Sequence, residues 1–245
     1  MTLSLDVLTE PAQFEALAPA WSLLVRESPA DCLGLDMTNG PVWFAALRAA
    51  CEPAQAARVL TLHEGDKLVG VLPLVVEGRA FGGAQLMSAT ELYGGRSGFV
   101  LIRDDPDLLE ALLRGVHQAF GAWTTLRVTS VRDSANDRLL AQVLPRLGWT
   151  AVRGEGCESP WFPLRDDAAT FEAGVSKSLR QTLRTATNKL RTLGELRAIE
   201  LTDLQREGRA IDVVLAIERA SWKHGAGTAI TCHPYQERFY RALFP

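Results

Sequence analysis

Cysteine is scarce in this chain of 245 residues: four thiols, at Cys32, Cys51, Cys157 and Cys232, with no C-x-x-C pair. That argues against a disulfide framework or a cysteine zinc site and fits reduced thiols in a cytoplasmic protein. No apolar run approaches the roughly 20 residues of a membrane span. The first ten residues lack the basic start and apolar stretch of a secretory signal. There is no excess of positive charge either. Lys and Arg total 26 against 29 Asp and Glu, for a net charge of −3. Whole-chain attraction to nucleic acid or anionic lipid is therefore disfavoured. Fixed-period repeats and low-complexity tracts are also lacking. What remains is a 47% hydrophobic chain, long enough to bury a sizeable core as one large domain or two small ones.

Apolar spacing predicts a helix over Pro11–Arg26, with Phe14, Leu17, Trp21 and Leu24 on one face. A second helix is predicted over Pro41–Cys51, with proline in its first turn. Arg58–His63 and Lys67–Val76 read as strands of a hairpin turning at Gly65-Asp66. Leu60 and Leu62 should share one face, and Val59 and Thr61 the other. Pro73 marks an edge or a bulge. Further strands are expected within Gln85–Tyr93, Ser97–Ile102 and Thr125–Val131. Helices are expected over Asp107–Phe120 and Asn136–Leu147, the latter open to early termination at Pro145. This alternation predicts an α/β or α+β fold.

From Arg165 the pattern changes. A short helix begins at Phe171, with Asp167 placed as its cap. A long helix covers Ser176–Leu193, and helices return over Asp203–Trp222 and Tyr235–Leu243. Only Leu196–Leu201 reads as a strand. That inventory does not close a sheet, so the chain is expected to stop inside a domain, with the last helix poorly packed and Leu243 and Phe244 exposed.

The Ser176–Leu193 helix carries the strongest local anomaly. Lys177, Arg180, Arg184, Lys189 and Arg191 lie between Ala173 and Gly194 without one acidic residue. At 100° per residue, Leu179, Leu183, Leu190 and Leu193 form an apolar stripe. Lys177, Arg180, Arg184 and Arg191 form a ridge beside it. Like charges three and four residues apart repel by a few tenths of a kcal/mol per pair. The ridge is either a solvated face, a partner to acids elsewhere in the chain, a site for phosphate, pyrophosphate or carboxylate, or a nucleic-acid contact. No aromatics are interleaved, which disfavours stacking on single strands.

Other motifs are weaker. Arg79–Ala84 matches R-x-x-G-x-A, a pattern of acetyl-coenzyme A loops, but no helical stripe follows it. Gly94–Gly98 is not a nucleophile elbow in either register. Tyr93, beside that turn, is a cleft candidate whose ordinary role is a half-buried strand end. His224 and His233 flank a glycine turn near Cys232. They form no zinc signature, and either could act as a base or sit on a surface loop. Trp222 most often packs as core at such a place. Glu158, Asp166 and Asp167 near the junction give no catalytic pattern.

The order of features is more specific than any single one. Trp21 is followed by Pro41-x-Trp43, then by the hairpin Gly65–Leu74. Ser176-Lys177-x-x-Arg180-x-x-Leu183-Arg184, Lys189-Leu190 and Gly194-Glu-Leu196 come next. Glu218-Arg219-x-x-Trp222-Lys223 and Pro234-x-x-x-x-Phe239-Tyr240-Arg241 close the series. This series resembles the CelD/BcsL-type family of GNAT-like acetyltransferases, associated with cellulose biosynthesis and related to FemAB-type transferases. The resemblance implies an α/β fold of tandem GNAT-like units, each a mixed central sheet flanked by helices. Residues 1–164 would form the first unit and 165–245 the start of an incomplete second. It implies acyl transfer from acetyl-coenzyme A to an amine or hydroxyl of a small-molecule acceptor, saccharide or cell-envelope-related. No metal, nucleic acid or membrane span is implied. Lys177, Arg180 and Arg184 become the candidates for anionic cofactor or substrate groups, and Tyr93 and His224 the catalytic candidates. The alternatives are FemAB-like aminoacyl transfer to a cell-wall precursor, and a non-catalytic GNAT-like binding module.

Overall fold

Six residues at the start, Leu3–Leu8 (β1), alternate leucine or valine with polar partners and pair antiparallel with Gln55–Glu64 (β2). The computed structural model describes residues 2–29, 37–78, 83–89, 98–128, 134–154, 167–197 and 208–244. Between β1 and β2 lie two helices, Pro11–Glu27 (α1) and Pro41–Ala50 (α2), each with proline in its first turn. The hairpin forms as expected. β2 pairs with Lys67–Gly78 (β3) from Gln55↔Glu77 to Glu64↔Lys67, and Gly65 takes a φ of 61° in the turn, which glycine adopts without steric cost.

Ala84–Ser88 (β4) pairs antiparallel with the far half of β3, and Val100–Leu101 (β5) with its near half. Pro73 lies where the partner of β3 passes from β4 to β5. Its carbonyl accepts from the Ala89 N–H at 3.0 Å. The missing proline N–H lies on the same side, so Pro73 accepts this one bond and cannot return its reciprocal, at the end of the β3–β4 pairing. After β5 the chain crosses through Pro106–Phe120 (α3) and returns as Trp123–Arg127 (β6), parallel to β4. Ala135–Leu147 (α4) follows. Pro145 lies within its last turn and does not shorten it, and Gly148, in the left-handed region, closes it. Among the described residues the sheet runs β1-β2-β3-β4-β6, with β5 on β3. It is a mixed sheet flanked by helices, the α/β class expected from the sequence.

Alternation sorts the core. Leu60, Leu62, Leu72, Leu74, Leu86 and Leu101 face α3 and α4. Val59, Val71, Val75 and Met87 face α1 and α2. The face division of Leu60 and Leu62 from Val59 is the expected one. Thr61 pairs across to Val71 and so lies on the α1–α2 side. At Gly115 of α3, a Cβ would run into the Leu5 side chain of β1. Gly115→Ala is expected to cost about 1–3 kcal/mol by overpacking, readable as a lowered urea midpoint with unchanged slope.

The chain divides into two compact units, Met1–Ala151 with Gly208–Pro245, and Val152–Glu207. The first unit also contains Ala210–Ala220 (α7), Trp222–Gly225 (α8) and Pro234–Leu243 (α9). The last helix does not match the expectation of a loose, exposed segment. Phe239 is 0% and Leu243 7% exposed, and both belong to the α1–α2 core. Phe239 stands edge-on to Trp43, with ring centroids 4.8 Å apart. Phe239 and Leu243 are four apart, so they share one helix face, and α2 offers that face its aromatic side.

The second unit contributes Ala168–Gly174 (α5) and Lys177–Arg191 (α6). Asp167 caps α5 as expected, accepting from the Thr170 N–H at 2.7 Å. The strand expected at Leu196–Leu201 lies mostly outside the described residues. Leu196 and Arg197 are in no strand.

Candidate functional site

In each unit, one place among the described residues suits the polar groups of a ligand. The first is the carboxyl edge of the parallel pair β4–β6. Parallel strands end on the same side, and α4 begins just beyond β6, so the helix start lies at that edge. Ligands of open α/β sheets collect at such edges. Ser134 caps α4, accepting from the Asp137 N–H at 3.2 Å. Asn136, in the first turn, is 1% exposed. Its Nδ2 donates to the Phe99 carbonyl at 3.3 Å, and among the described residues its Oδ1 has no hydrogen-bond partner. Gly98 leaves room for this amide. A Cβ there would stand 3.3 Å from Asn136 Nδ2 and 3.7 Å from Val128 Cγ1. A buried acceptor left alone costs about 1–3 kcal/mol, so a group that donates to Oδ1 is favoured at this place.

The second place is the ridge of α6. Ser176 caps the helix, its Oγ accepting from the Leu179 N–H at 3.2 Å. Lys177, Arg180 and Arg184 are exposed. Arg180 Nη1 donates to the Glu172 carbonyl at 3.1 Å. Among the described residues, none of the three cations is paired with a carboxylate. The positive end of the helix and three uncompensated cations suit a phosphate or carboxylate. The start of α3 does not. There Asp105 accepts from the Asp107 N–H at 2.9 Å, and Arg103 is held by Asp105 and Glu64. An anion at α3 would meet two carboxylates before any free N–H.

The expected core role of the leucine stripe beside the ridge is not met. Leu179, Leu183 and Leu190 are 49%, 56% and 50% exposed.

Of the catalytic candidates, Tyr93 lies outside the described residues, as do Glu158 and Asp166. Arg79–Gly82 of the R-x-x-G-x-A pattern lie outside them too. Ala84 opens β4 rather than a helix, which removes that pattern's reading as a phosphate loop at a helix start. His224 is exposed on α8, and its Nδ1 lies 3.6 Å from Cys232 Sγ. Trp222 is 77% exposed rather than core, because the short α8 helix presents it outward. The sequence gives no signal for Asn136: only the meeting of β5, β6 and α4 buries it. Among the described residues, no three His, Cys, Asp or Glu side chains gather as a metal site, and no helix is long and apolar enough to cross a membrane.

No protein-family model matches the chain, and no curated protein sequence matches it. Among solved structures, it is similar to a ribosomal-protein-alanine N-acetyltransferase. That protein is from Brucella melitensis biovar Abortus 2308. The identity is 14% and the TM-score 0.40, over 66% of this chain and 100% of that one.

Proposed function

We propose that this protein is an acyltransferase of GNAT type, moving an acyl group from a coenzyme A thioester to an amine or hydroxyl. The observation that carries the reading is the β4–β6 edge. Among the described residues, a run of antiparallel strands gives way there to one parallel pair, and the buried Asn136 Oδ1 has no partner at its carboxyl end. The order of sequence features, with its resemblance to CelD/BcsL-type transferases, supports the same reading. The donor would supply a thioester carbonyl open to attack. Asn136 Oδ1 would accept a hydrogen bond from an amide N–H of the donor or from the attacking group. Holding that proton fixes orientation, and orientation is a large share of acyl transfer. In the second unit, taken by itself, Lys177, Arg180 and Arg184 would suit a phosphate-bearing group, the role that the carboxylates at α3 exclude there. We place α6 at the opening of a second GNAT-like unit beginning near Arg165.

Phosphates also occur on the cell-wall precursors of FemAB-like aminoacyl transfer, and the ridge suits them equally. The test is thioester consumption measured against a panel of amines, amino sugars and amino acids, with aminoacyl-tRNA as a separate donor. Asn136→Ala is expected to lower kcat/KM by roughly tenfold to a hundredfold while stability changes by no more than about 1–2 kcal/mol. Unchanged turnover in a stable Asn136→Ala protein would remove the edge from the mechanism. Turnover only with aminoacyl-tRNA would move the protein to the second reading.

A further inference from the structure

The segment from Glu218 to Cys232 folds into a small, heavily tied loop. Glu218 Oε1 accepts from Lys223 Nζ at 2.7 Å, and its Oε2 accepts from the Ile230 N–H at 3.2 Å. The Lys223 carbonyl accepts from the N–H groups of Thr228 and Ala229 at 2.9 and 3.2 Å. Cys232 N–H closes a tight turn onto the Ala229 carbonyl at 2.9 Å. The Lys223 bond first, and the Ile230 N–H second, hold the Glu218 carboxyl below the usual range, so this tie is ionised near neutrality. Its two oxygens fasten both ends of the loop.

That fastening sets His224 on one wall and Cys232 on the other. His224 Nδ1 is 3.6 Å from Cys232 Sγ, and the His224 carbonyl is 3.8 Å from the same sulfur. His224 is exposed and Cys232 half-buried. The contrast is Cys51. It lies half-buried beside α2, and burial pushes its thiol up despite the nearby Arg48 guanidinium. Among the described residues, one thiol has a base within reach and the other does not, and thiolate is the nucleophile.

We propose that Cys232 and His224 form a nucleophilic thiol site whose electrophile is an acyl thioester. His224 Nδ1 takes the thiol proton and the sulfur attacks the thioester carbonyl carbon. The bond from that carbon to the departing sulfur breaks, and the departing thiolate takes the proton from the imidazolium. One thioester is consumed and one is formed, so no oxidant or reductant is needed. The choice of electrophile rests on the acyl-transfer reading. The reactivity of the pair does not. Glu218 acts as a positioning residue, through the loop.

The experiment has two arms on the full chain. In the first, iodoacetamide is the probe and alkylation is followed by peptide mass spectrometry. Cys232 is expected to react about tenfold faster than Cys51, and His224→Gln to lower the Cys232 rate about tenfold with Cys51 unchanged. Glu218→Gln should lower the Cys232 rate less than His224→Gln does. Equal rates at the two cysteines, or no effect of His224→Gln, overturn the pair. In the second arm, acetyl-coenzyme A is the probe. A hydroxylamine-labile acetyl group should appear on Cys232, vanish in Cys232→Ser and diminish in His224→Gln. A reactive Cys232 left unlabelled by acetyl-coenzyme A overturns the thioester as its electrophile. Acetyl transfer to an added acceptor that persists in Cys232→Ser leaves the acyl-transfer reading standing whichever way the labelling falls.

Discussion

Phe239→Ala is expected to destabilise the first unit by about 3–5 kcal/mol, the range for removing a fully buried aromatic ring. The side chain is 0% exposed and packs on both Trp43 and Tyr240. Truncation leaves a cavity bounded by α2, whose own aromatic residues hold the α1 side of the core. Collapse around the gap is limited because Trp43 is itself pinned in that cluster. The measurement is a chemical-denaturation curve on wild type and variant, with Arg241→Ala as a surface control. Arg241 pairs with Glu237 and Asp212 in exposed salt bridges, worth about 0–1 kcal/mol. A Phe239→Ala cost no larger than the control would mean that α9 does not dock in solution.

The double reversal Arg180→Glu with Arg184→Glu is expected to weaken binding of coenzyme A by about a hundredfold or more. Each charge-assisted hydrogen bond is worth about 1.5–3 kcal/mol, and each 1.4 kcal/mol is a factor of ten. Thermal stability should hold, since both side chains are exposed and carry no carboxylate partner among the described residues. Wild-type affinity should fall as salt rises, and the variant should lose most of that dependence. Leu183→Ala serves as the companion. At 56% exposure it should cost no more than about 1 kcal/mol, below the range for a buried leucine. A dissociation constant unchanged by the double reversal would make the ridge an ordinary solvated surface.

The parts legible in the sequence are those governed by local period. The β2–β3 hairpin, α1, α2, α3 and α6 follow from apolar spacing, and Asp167 as a cap follows from its chemistry. β1 was harder to see. Leu3, Leu5 and Val7 alternate, but six residues carry little weight until β2 supplies hydrogen-bond partners, and an edge strand stays half exposed. The packing of α9 was invisible for a different reason. Its apolar face is plain, but nothing local says that Trp43 receives it. The candidate site divides in the same way. The ridge is written in one helix and could be read there. Asn136 and the Cys232–His224 contact depend on turns that bring separate segments together, and no spacing rule encodes them.

The placement of α9 has a consequence for synthesis. Trp43 meets Phe239 only after about 200 further residues have been made, which at ~5–20 residues per second is tens of seconds or less. Until then α2 presents an uncovered aromatic face on the nascent chain, while the sheet and α3 can already assemble from nearer contacts. Closing so long a loop is slow rather than forbidding, since loop entropy grows only with the logarithm of length. The interval makes the α2 face the surface on which a holding chaperone, or a second nascent chain, has its opportunity.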